Sequence, residues 1–156
     1  MEQFSQAADN NKSFIAEALH DWLPVGASVL EIGSGSGQHA IHFASTLAHV
    51  SWQPTEYPDR MEVLASNLAR YAPSNVRPPF GLDLAQEEWP SRSADCVFSA
   101  NVIHIVSEYL GERLIVGGAR ATGADGLFML YGPFKYCGEF TTDSNRDFDQ
   151  LLRDRD

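Results

Sequence analysis

The 156-residue sequence predicts an α/β fold in which a parallel sheet of about five strands carries helices on both faces. Two observations lead to this prediction. Short apolar runs alternate along the chain with longer segments whose apolar residues recur at helical spacing. A cluster of glycines also joins the first predicted strand directly to a helix. Such alternation is typical of βαβ units with right-handed crossovers.

The first part of the chain gives one helix, one strand and the start of a second helix. The first helix is predicted over residues 9–22, with Asp9 or Asn10 as its N-cap. Its apolar face consists of Ile15, Ala18, Leu19 and Trp22. A buried strand follows over residues 28–32, and the next helix begins near Gly37.

The middle of the chain continues this alternation. Residues 49–55 form a second predicted strand, and a helix follows around residues 61–68. Residues 75–82 resemble a third strand. Because Pro78 and Pro79 cannot donate ladder hydrogen bonds, we expect that strand at an edge of the sheet.

The last part of the chain predicts two further strands and two helices. Residues 94–100 are mostly small and apolar and form the fourth strand. A helix is expected over about residues 105–119, followed by a fifth strand over residues 127–131. Apolar residues within 148–152 indicate a final helix.

Composition limits the classes of function. The chain is 44% apolar, which suffices for a single domain over residues 1–156. Eleven basic and 21 acidic residues give a net charge of −10, which disfavours binding to nucleic acid or to an anionic membrane surface. Two cysteines without metal or disulfide spacing, and a start without signal-peptide character, favour the cytoplasm.

The strongest functional signal lies between the first strand and the helix after it, in the segment Glu31-Ile32-Gly33-Ser34-Gly35-Ser36-Gly37. Glycines let the backbone approach a ligand, and free N–H groups at a helix start bind carboxylate or phosphate. The fingerprint for NAD has glycine at its first, third and sixth positions, but the sixth position here is Gln38. A tight turn without a ligand is the alternative interpretation.

An acid at the end of the second strand extends this candidate site. In doubly wound folds, an acid at this position accepts hydrogen bonds from ribose hydroxyls. Glu56 therefore becomes the predicted ribose partner, with Asp59 as the second choice. The alternative is that Glu56 is one of many solvated loop acids.

Two polar residues follow the fourth strand, at the edge where ligands bind in open α/β sheets. Asn101 and His104 are both candidates for contact with a ligand. His104 could accept a proton from a hydroxyl or amine, or could instead cap or pack against the next helix. His39 and His42 have helical i, i+3 spacing, but the sequence offers no third metal ligand near them, so we do not predict a metal site.

The motif Glu-x-Gly-x-Gly-x-Gly at residues 31–37 resembles motif I of class I S-adenosylmethionine-dependent methyltransferases. The acids after strands two and three and the asparagine after strand four also match that superfamily in order. The resemblance implies a Rossmann-like sheet with strand order 3-2-1-4-5 and S-adenosylmethionine as cofactor. It implies that Asp83 holds the adenine amino group, that Leu84 holds the ring and that Asn101 meets the methionine part. Asp83 could alternatively cap a helix over residues 84–88.

More narrowly, the chain resembles a small family called methyltransferase-like 26 in animals and a domain of unknown function in bacteria. The segments that carry this resemblance are residues 4–12, 30–40, 52–54, 75–79, 101–105, 131–134 and 144–149. It implies that the segment around Ser5 to Lys12 folds over the cofactor as a lid. Class I enzymes continue into an antiparallel hairpin beyond strand five, so we expect that this chain lacks the hairpin and is shortened at its C-terminus. Strand five would then expose an edge that could support a homodimer.

These observations predict an S-adenosylmethionine-dependent methyltransferase acting on a small molecule. The cofactor-binding candidates are Glu31, Gly33, Ser34, Gly35, Gly37, Glu56, Asp83, Leu84 and Asn101. His104 is the candidate base, and Tyr131 and Asn145 are candidates for the acceptor pocket. The alternatives are a non-catalytic cofactor-binding or partner-binding protein and, less favoured by the glycine spacing, an NAD-dependent oxidoreductase.

Overall fold

A central parallel sheet organises the computed structural model, which describes residues 1–89 and 93–154. Its strands are β1 (Ser28–Ile32), β2 (Ser51–Glu56), β3 (Phe80–Gly81), β4 (Ala94–Ala100) and β5 (Thr122–Tyr131). The strands lie in the order β3-β2-β1-β4-β5, and all their pairings are parallel. The predicted α/β class, number of strands and strand order are therefore confirmed.

Helices cover both faces of this sheet. They are α1 (Gln6–Trp22), α2 (Gln38–Thr46), α3 (Met61–Tyr71) and α4 (Glu108–Ala121). A further helix, α5 (Asp143–Arg153), follows β5 and contributes no residue to the core clusters. Apolar residues of α1, α2 and α3 form one core cluster, in which Leu19, Phe43 and Trp52 are fully buried. Leu114 of α4 belongs to a second cluster with Leu30 of β1.

The start of α1 differs from its prediction. The N-cap is Ser5, whose Oγ accepts a hydrogen bond from the Ala8 N–H at 3.2 Å, and neither Asp9 nor Asn10 serves as the cap. The helix begins at Gln6, one turn before the apolar repeat that starts at Ile15 would place it, and Ala8 of this added turn is already buried. Apolar periodicity marks the buried part of a helix and does not locate its first residue.

Two further details of local structure differ from what the sequence suggested. The helix over residues 84–88 that was the alternative interpretation of Asp83 is absent: these residues form a turn and bends, and Asp83 Oδ1 accepts from the Ala85 N–H at 2.9 Å. The predicted strand over residues 75–82 is reduced to β3 and an isolated bridge between Trp52 and Val76. Pro78 and Pro79 interrupt the ladder between these points, while the predicted edge position of β3 is confirmed.

The part of the chain after β5 lies apart from the sheet. Two short antiparallel strands, β6 (Lys135–Tyr136) and β7 (Glu139–Phe140), pair only with each other, so within residues 1–89 and 93–154 no antiparallel strand joins β5. Helix α5 has no buried residue. No helix of these described ranges is both long and apolar enough to cross a membrane.

Candidate functional site

A cavity of about 660 Å³ opens at the carboxyl ends of the parallel strands. Its volume is within the range of small-molecule sites. Its wall is built from the bend between β1 and α2, the ends of β2, β3 and β4, and the start of α1. Several predicted site residues share this wall: Gly33, Ser34, Gly35, Glu56, Asp83, Leu84 and Asn101.

Glycines shape the bend from residue 33 to residue 37, which we call the glycine bend. Gly33 and Gly35 have φ of +72° and +57°, a region that favours glycine. A Cβ at Gly33 would lie 2.4 Å from Val102 Cγ2, so the bend packs closely against the loop after β4. A Cβ at Gly35 would meet nothing within 4 Å, which leaves the space beside it open to a ligand.

Glu31 supports the glycine bend without reaching the cavity wall. Its side chain is 2% exposed, and its Oε2 accepts from Ser34 Oγ at 2.8 Å and from Trp52 Nε1 at 2.9 Å. Burial raises the pKa of Glu31 to about 7, although these two donors act in the opposite direction. Thr55 extends the network, since its N–H donates to Ser34 Oγ at 3.2 Å. Glu31 therefore contacts Ser34, which lines the cavity, but does not line the cavity itself.

Glu56 bridges the ends of β1 and β2 at the cavity wall. Its Oε2 accepts from the Gly35 N–H at 2.6 Å, and its Oε1 accepts from the Tyr57 N–H at 2.9 Å. The carboxylate thus points towards the glycine bend. Because each carboxylate oxygen has two lone pairs, both oxygens keep an acceptor site for a further donor such as a hydroxyl.

Asn101 directly follows β4 and has a backbone conformation that is uncommon for a residue with a side chain. Its φ is +62°, and its N–H donates to the Tyr131 carbonyl at 2.8 Å. The same cavity wall carries its side chain together with the apolar side chains of Val102 and Leu84. Uncommon backbone conformations of this kind cluster at functional sites.

Residues near the N-terminus also line the cavity, together with two residues at the start of α2: Ser5, Ala8, Gln38 and His39. His39 Nε2 lies 2.7 Å from Asn11 Oδ1, and burial lowers the pKa of His39 to about 4, so the ring is neutral at pH 7. Sequence reasoning missed Gln38 as a site residue. The only sign of Gln38 in the sequence was that it stands where the NAD fingerprint has a glycine.

The three residues predicted on the acceptor side do not join the cavity wall. His104 packs against Phe134 with ring centroids 4.7 Å apart, and its buried Nε2 has no hydrogen-bond partner. A Cβ on Gly132 would lie 2.1 Å from that nitrogen, and burial lowers the pKa of His104. Tyr131 is 40% exposed at the end of β5. Asn145 lies on α5, where its Nδ2 donates to Thr141 Oγ1 at 2.7 Å.

Three solved structures that are similar to this chain in fold are methyltransferases. SibL, in its apo form, is 19% identical with a TM-score of 0.77, and the match covers 94% of this chain and 42% of SibL. CalO1, a methyltransferase in calicheamicin biosynthesis solved with S-adenosylhomocysteine, is 16% identical with a TM-score of 0.73 over 96% of this chain and 43% of CalO1. A TehB-like methyltransferase from Corynebacterium glutamicum is 19% identical with a TM-score of 0.62, over 94% of this chain and 79% of its own.

At these identities the likeness shows the fold. This chain spans less than half the length of SibL and CalO1. A family model described as "Protein of unknown function (DUF938)" matches residues 2–156.

Proposed function

Since this chain belongs to the DUF938 family, described as proteins of unknown function, we propose its activity from the site itself. It binds S-adenosylmethionine and transfers the methyl group of that cofactor to a small-molecule acceptor. The observation that carries this proposal is the Glu56 carboxylate, which lies on the cavity wall 2.6 Å from the backbone nitrogen of Gly35. A sugar held by Glu56 would place the rest of a nucleoside along the same wall.

The two ends of the cofactor have suitable partners on either side of Glu56. Helix α2 begins after Gly37 without a side-chain cap, so its first N–H groups can receive the carboxylate of the methionine part. Asp83 and Leu84 lie on the wall beyond the end of β3, where an adenine amino group and ring would meet an acceptor and an apolar surface. Asn101 borders the same space from the end of β4.

The charge of the wall also favours this cofactor. Three acids and one base lie on the wall, namely Glu56, Asp59, Asp83 and Arg60. Their net negative charge attracts S-adenosylmethionine, which is a cation, and repels the pyrophosphate of NAD. The solved neighbours named above support the same choice, because they are methyltransferases.

The bound cofactor would supply a methyl group on a positively charged sulfur, which is a good leaving group. The chain would then bind and orient an acceptor and exclude water. For an acceptor that must lose a proton, His104 Nε2 is our candidate base, since burial lowers the pKa of the ring and the nitrogen has no partner. That role requires the loop around Gly132 and Phe134 to move aside.

A non-catalytic cofactor-binding protein is the second candidate function. It is favoured by the position of His104, Tyr131 and Asn145, which all lie off the cavity wall. The finer predictions stay predictions: the methyltransferase-like 26 relationship, the small-molecule acceptor, and a homodimer through the edge of β5. The homodimer is checked by sedimentation of the purified chain.

Calorimetric titration with S-adenosylhomocysteine, S-adenosylmethionine and NAD tests the proposed function without knowledge of the acceptor. We expect saturable one-site binding of the first two ligands and none of NAD. Tight binding of NAD alone would contradict the proposal. Binding of S-adenosylmethionine without methyl transfer to broad pools of small molecules would support the second candidate.

A further inference from the structure

Residues 1–5, which we call the N-terminal strap, are held by two side-chain amides in the same way. Gln38 Oε1 accepts from the Ser5 N–H at 3.0 Å, and its Nε2 donates to the Ser5 carbonyl at 3.2 Å. Asn67 Oδ1 accepts from the Glu2 N–H at 2.9 Å, and its Nδ2 donates to the Glu2 carbonyl at 3.0 Å. Each amide therefore pairs with both backbone groups of one strap residue.

Asn67 also holds the glycine bend. Its Nδ2 donates a further hydrogen bond to the Ser36 carbonyl at 2.9 Å. The side chain of Asn67 is 2% exposed and belongs to α3, an element that lies outside both the strap and the bend. One buried amide thus joins the strap to the backbone segment that shapes the cavity.

Two exposed hydrogen bonds of the strap add to these: the Met1 amino group donates to Tyr71 Oη at 3.3 Å, and Ser66 Oγ donates to Glu2 Oε1 at 3.1 Å. The two large apolar residues of the strap are exposed, Met1 by 40% and Phe4 by 59%. A segment without a buried apolar side chain can separate from the fold at low cost, because only hydrogen bonds must be exchanged for bonds to water. Ser5, the last residue of the strap, lies on the cavity wall together with its partner Gln38.

We propose that Asn67 and Gln38 are positioning residues that latch the N-terminal strap against the glycine bend, so that release of the strap governs how fast the nucleoside cofactor leaves. This proposal rests on the proposed function for the identity of the ligand. With the latch closed, strap and bend are ordered together through Asn67. With the latch open, Asn67 no longer couples the strap to the bend, and the cavity loses the part of its wall that Ser5 provides.

The test compares Asn67→Ala with Asn75→Ala. Asn75 is a matched control, because its Nδ2 also donates to backbone carbonyls, those of Ala44 at 2.9 Å and Val50 at 2.8 Å, but contacts neither strap nor bend. Gln38→Ala serves as a second variant that opens only the Ser5 end of the latch. Hydrogen exchange of the strap is measured without ligand, and association and dissociation rates of S-adenosylhomocysteine are measured by stopped flow.

We expect Asn67→Ala to speed exchange in residues 2–6 and to raise the dissociation rate by about tenfold, with the association rate nearly unchanged. Gln38→Ala should act in the same direction, and Asn75→Ala should lower thermal stability without either effect. Unchanged hydrogen exchange of the strap amides in Asn67→Ala would overturn the proposal that Asn67 latches the strap. Faster exchange with an unaltered dissociation rate, or equal effects in Asn75→Ala, would overturn its control of ligand release. Failure of the wild-type protein to bind S-adenosylhomocysteine at all would overturn the proposed function, and with it the proposed control of cofactor release by the strap.

Discussion

The two sides of the candidate site differ in how firmly the fold fixes them. On the β1–β2 side, Glu31, Ser34 and Glu56 are buried and belong to hydrogen-bonded groups that reach the glycine bend. On the β4–β5 side, His104 has an unpartnered nitrogen and Asn145 lies on a helix without buried residues. Neighbouring parallel strands bring their carboxyl ends together, whereas residues beyond β5 depend on loops. The cofactor side is therefore determined by the sheet, and the acceptor side is not.

The largest effect should come from His104→Ala. Loss of a general base should slow methyl transfer by roughly 10²–10⁴-fold while the affinity for S-adenosylhomocysteine stays within about twofold. The measurement is single-turnover transfer of labelled methyl groups to an acceptor found in a pool screen, with calorimetry for affinity. His42→Ala, on the outer part of α2, is the control. Equal transfer rates in wild type and His104→Ala would remove His104 from the chemistry and leave the acceptor side without an assigned base.

Glu56→Ala should have the next largest effect. Removing the carboxylate deletes charge-assisted hydrogen bonds worth about 1.5–3 kcal/mol, so the dissociation constant of S-adenosylhomocysteine should rise roughly 10- to 150-fold. Calorimetry measures this change directly. Glu62→Ala, an exposed acid in the first turn of α3, should leave the dissociation constant unchanged. The same constant for Glu56→Ala and wild type would show that the carboxylate does not hold the ligand.

Glu31→Gln tests the buried network through its dependence on pH. The pKa of Glu31 is about 7 in the fold and 4.5 as its ordinary value, so the folded state binds more protons than the unfolded state between these pH values. The free energy of unfolding should therefore fall as pH rises from 4.5 to 7 and level off above 7. Urea unfolding from pH 5 to 8 should show this fall, on the order of 2 kcal/mol, in wild type relative to Glu31→Gln. Parallel curves for the two proteins would mean that Glu31 ionises in its ordinary range.

Gly35→Ala should give the smallest effect, and Gly26→Ala is its matched control. Both glycines have positive φ, and a Cβ at either position would meet nothing within 4 Å, but only Gly35 lies on the cavity wall. Each substitution should cost about 1–2 kcal/mol of stability in thermal unfolding. Gly35→Ala should in addition weaken S-adenosylhomocysteine binding by about tenfold, because its methyl group enters the ligand space. Equal affinities in the two variants would place the ligand away from the glycine bend.

The sequence located the residues on the β1–β2 side of the cavity because its signals there are local. The glycine bend follows β1 directly, and Glu56 ends β2, so apolar runs and spacing were enough to locate both. Asp83, which the family resemblance singled out after strand three, also lies on the cavity wall, and a turn takes the place of the alternative helix after it. Prolines explain the shortened third strand, because they remove the donors of its ladder.

The missed residues depend on contacts between distant segments. In the sequence, Asn67 is simply a polar residue within an amphipathic helix. In the structure, its amide forms hydrogen bonds with backbone groups of Glu2 and Ser36. Gln38 carried a weak signal, as a departure from a known fingerprint, but its partner Ser5 lies 33 residues away. His104 was placed after the correct strand, while its side chain turned to Phe134 by packing that no local pattern encodes.

A crystal structure of the protein with S-adenosylhomocysteine tests the central claim most directly. The distance to measure joins the ribose hydroxyl oxygens to the carboxylate oxygens of Glu56. We predict about 2.5–3.0 Å for at least one such pair, with the homocysteine part along the glycine bend. A nucleoside bound elsewhere, or a Glu56 carboxylate turned away from the sugar, would contradict the account.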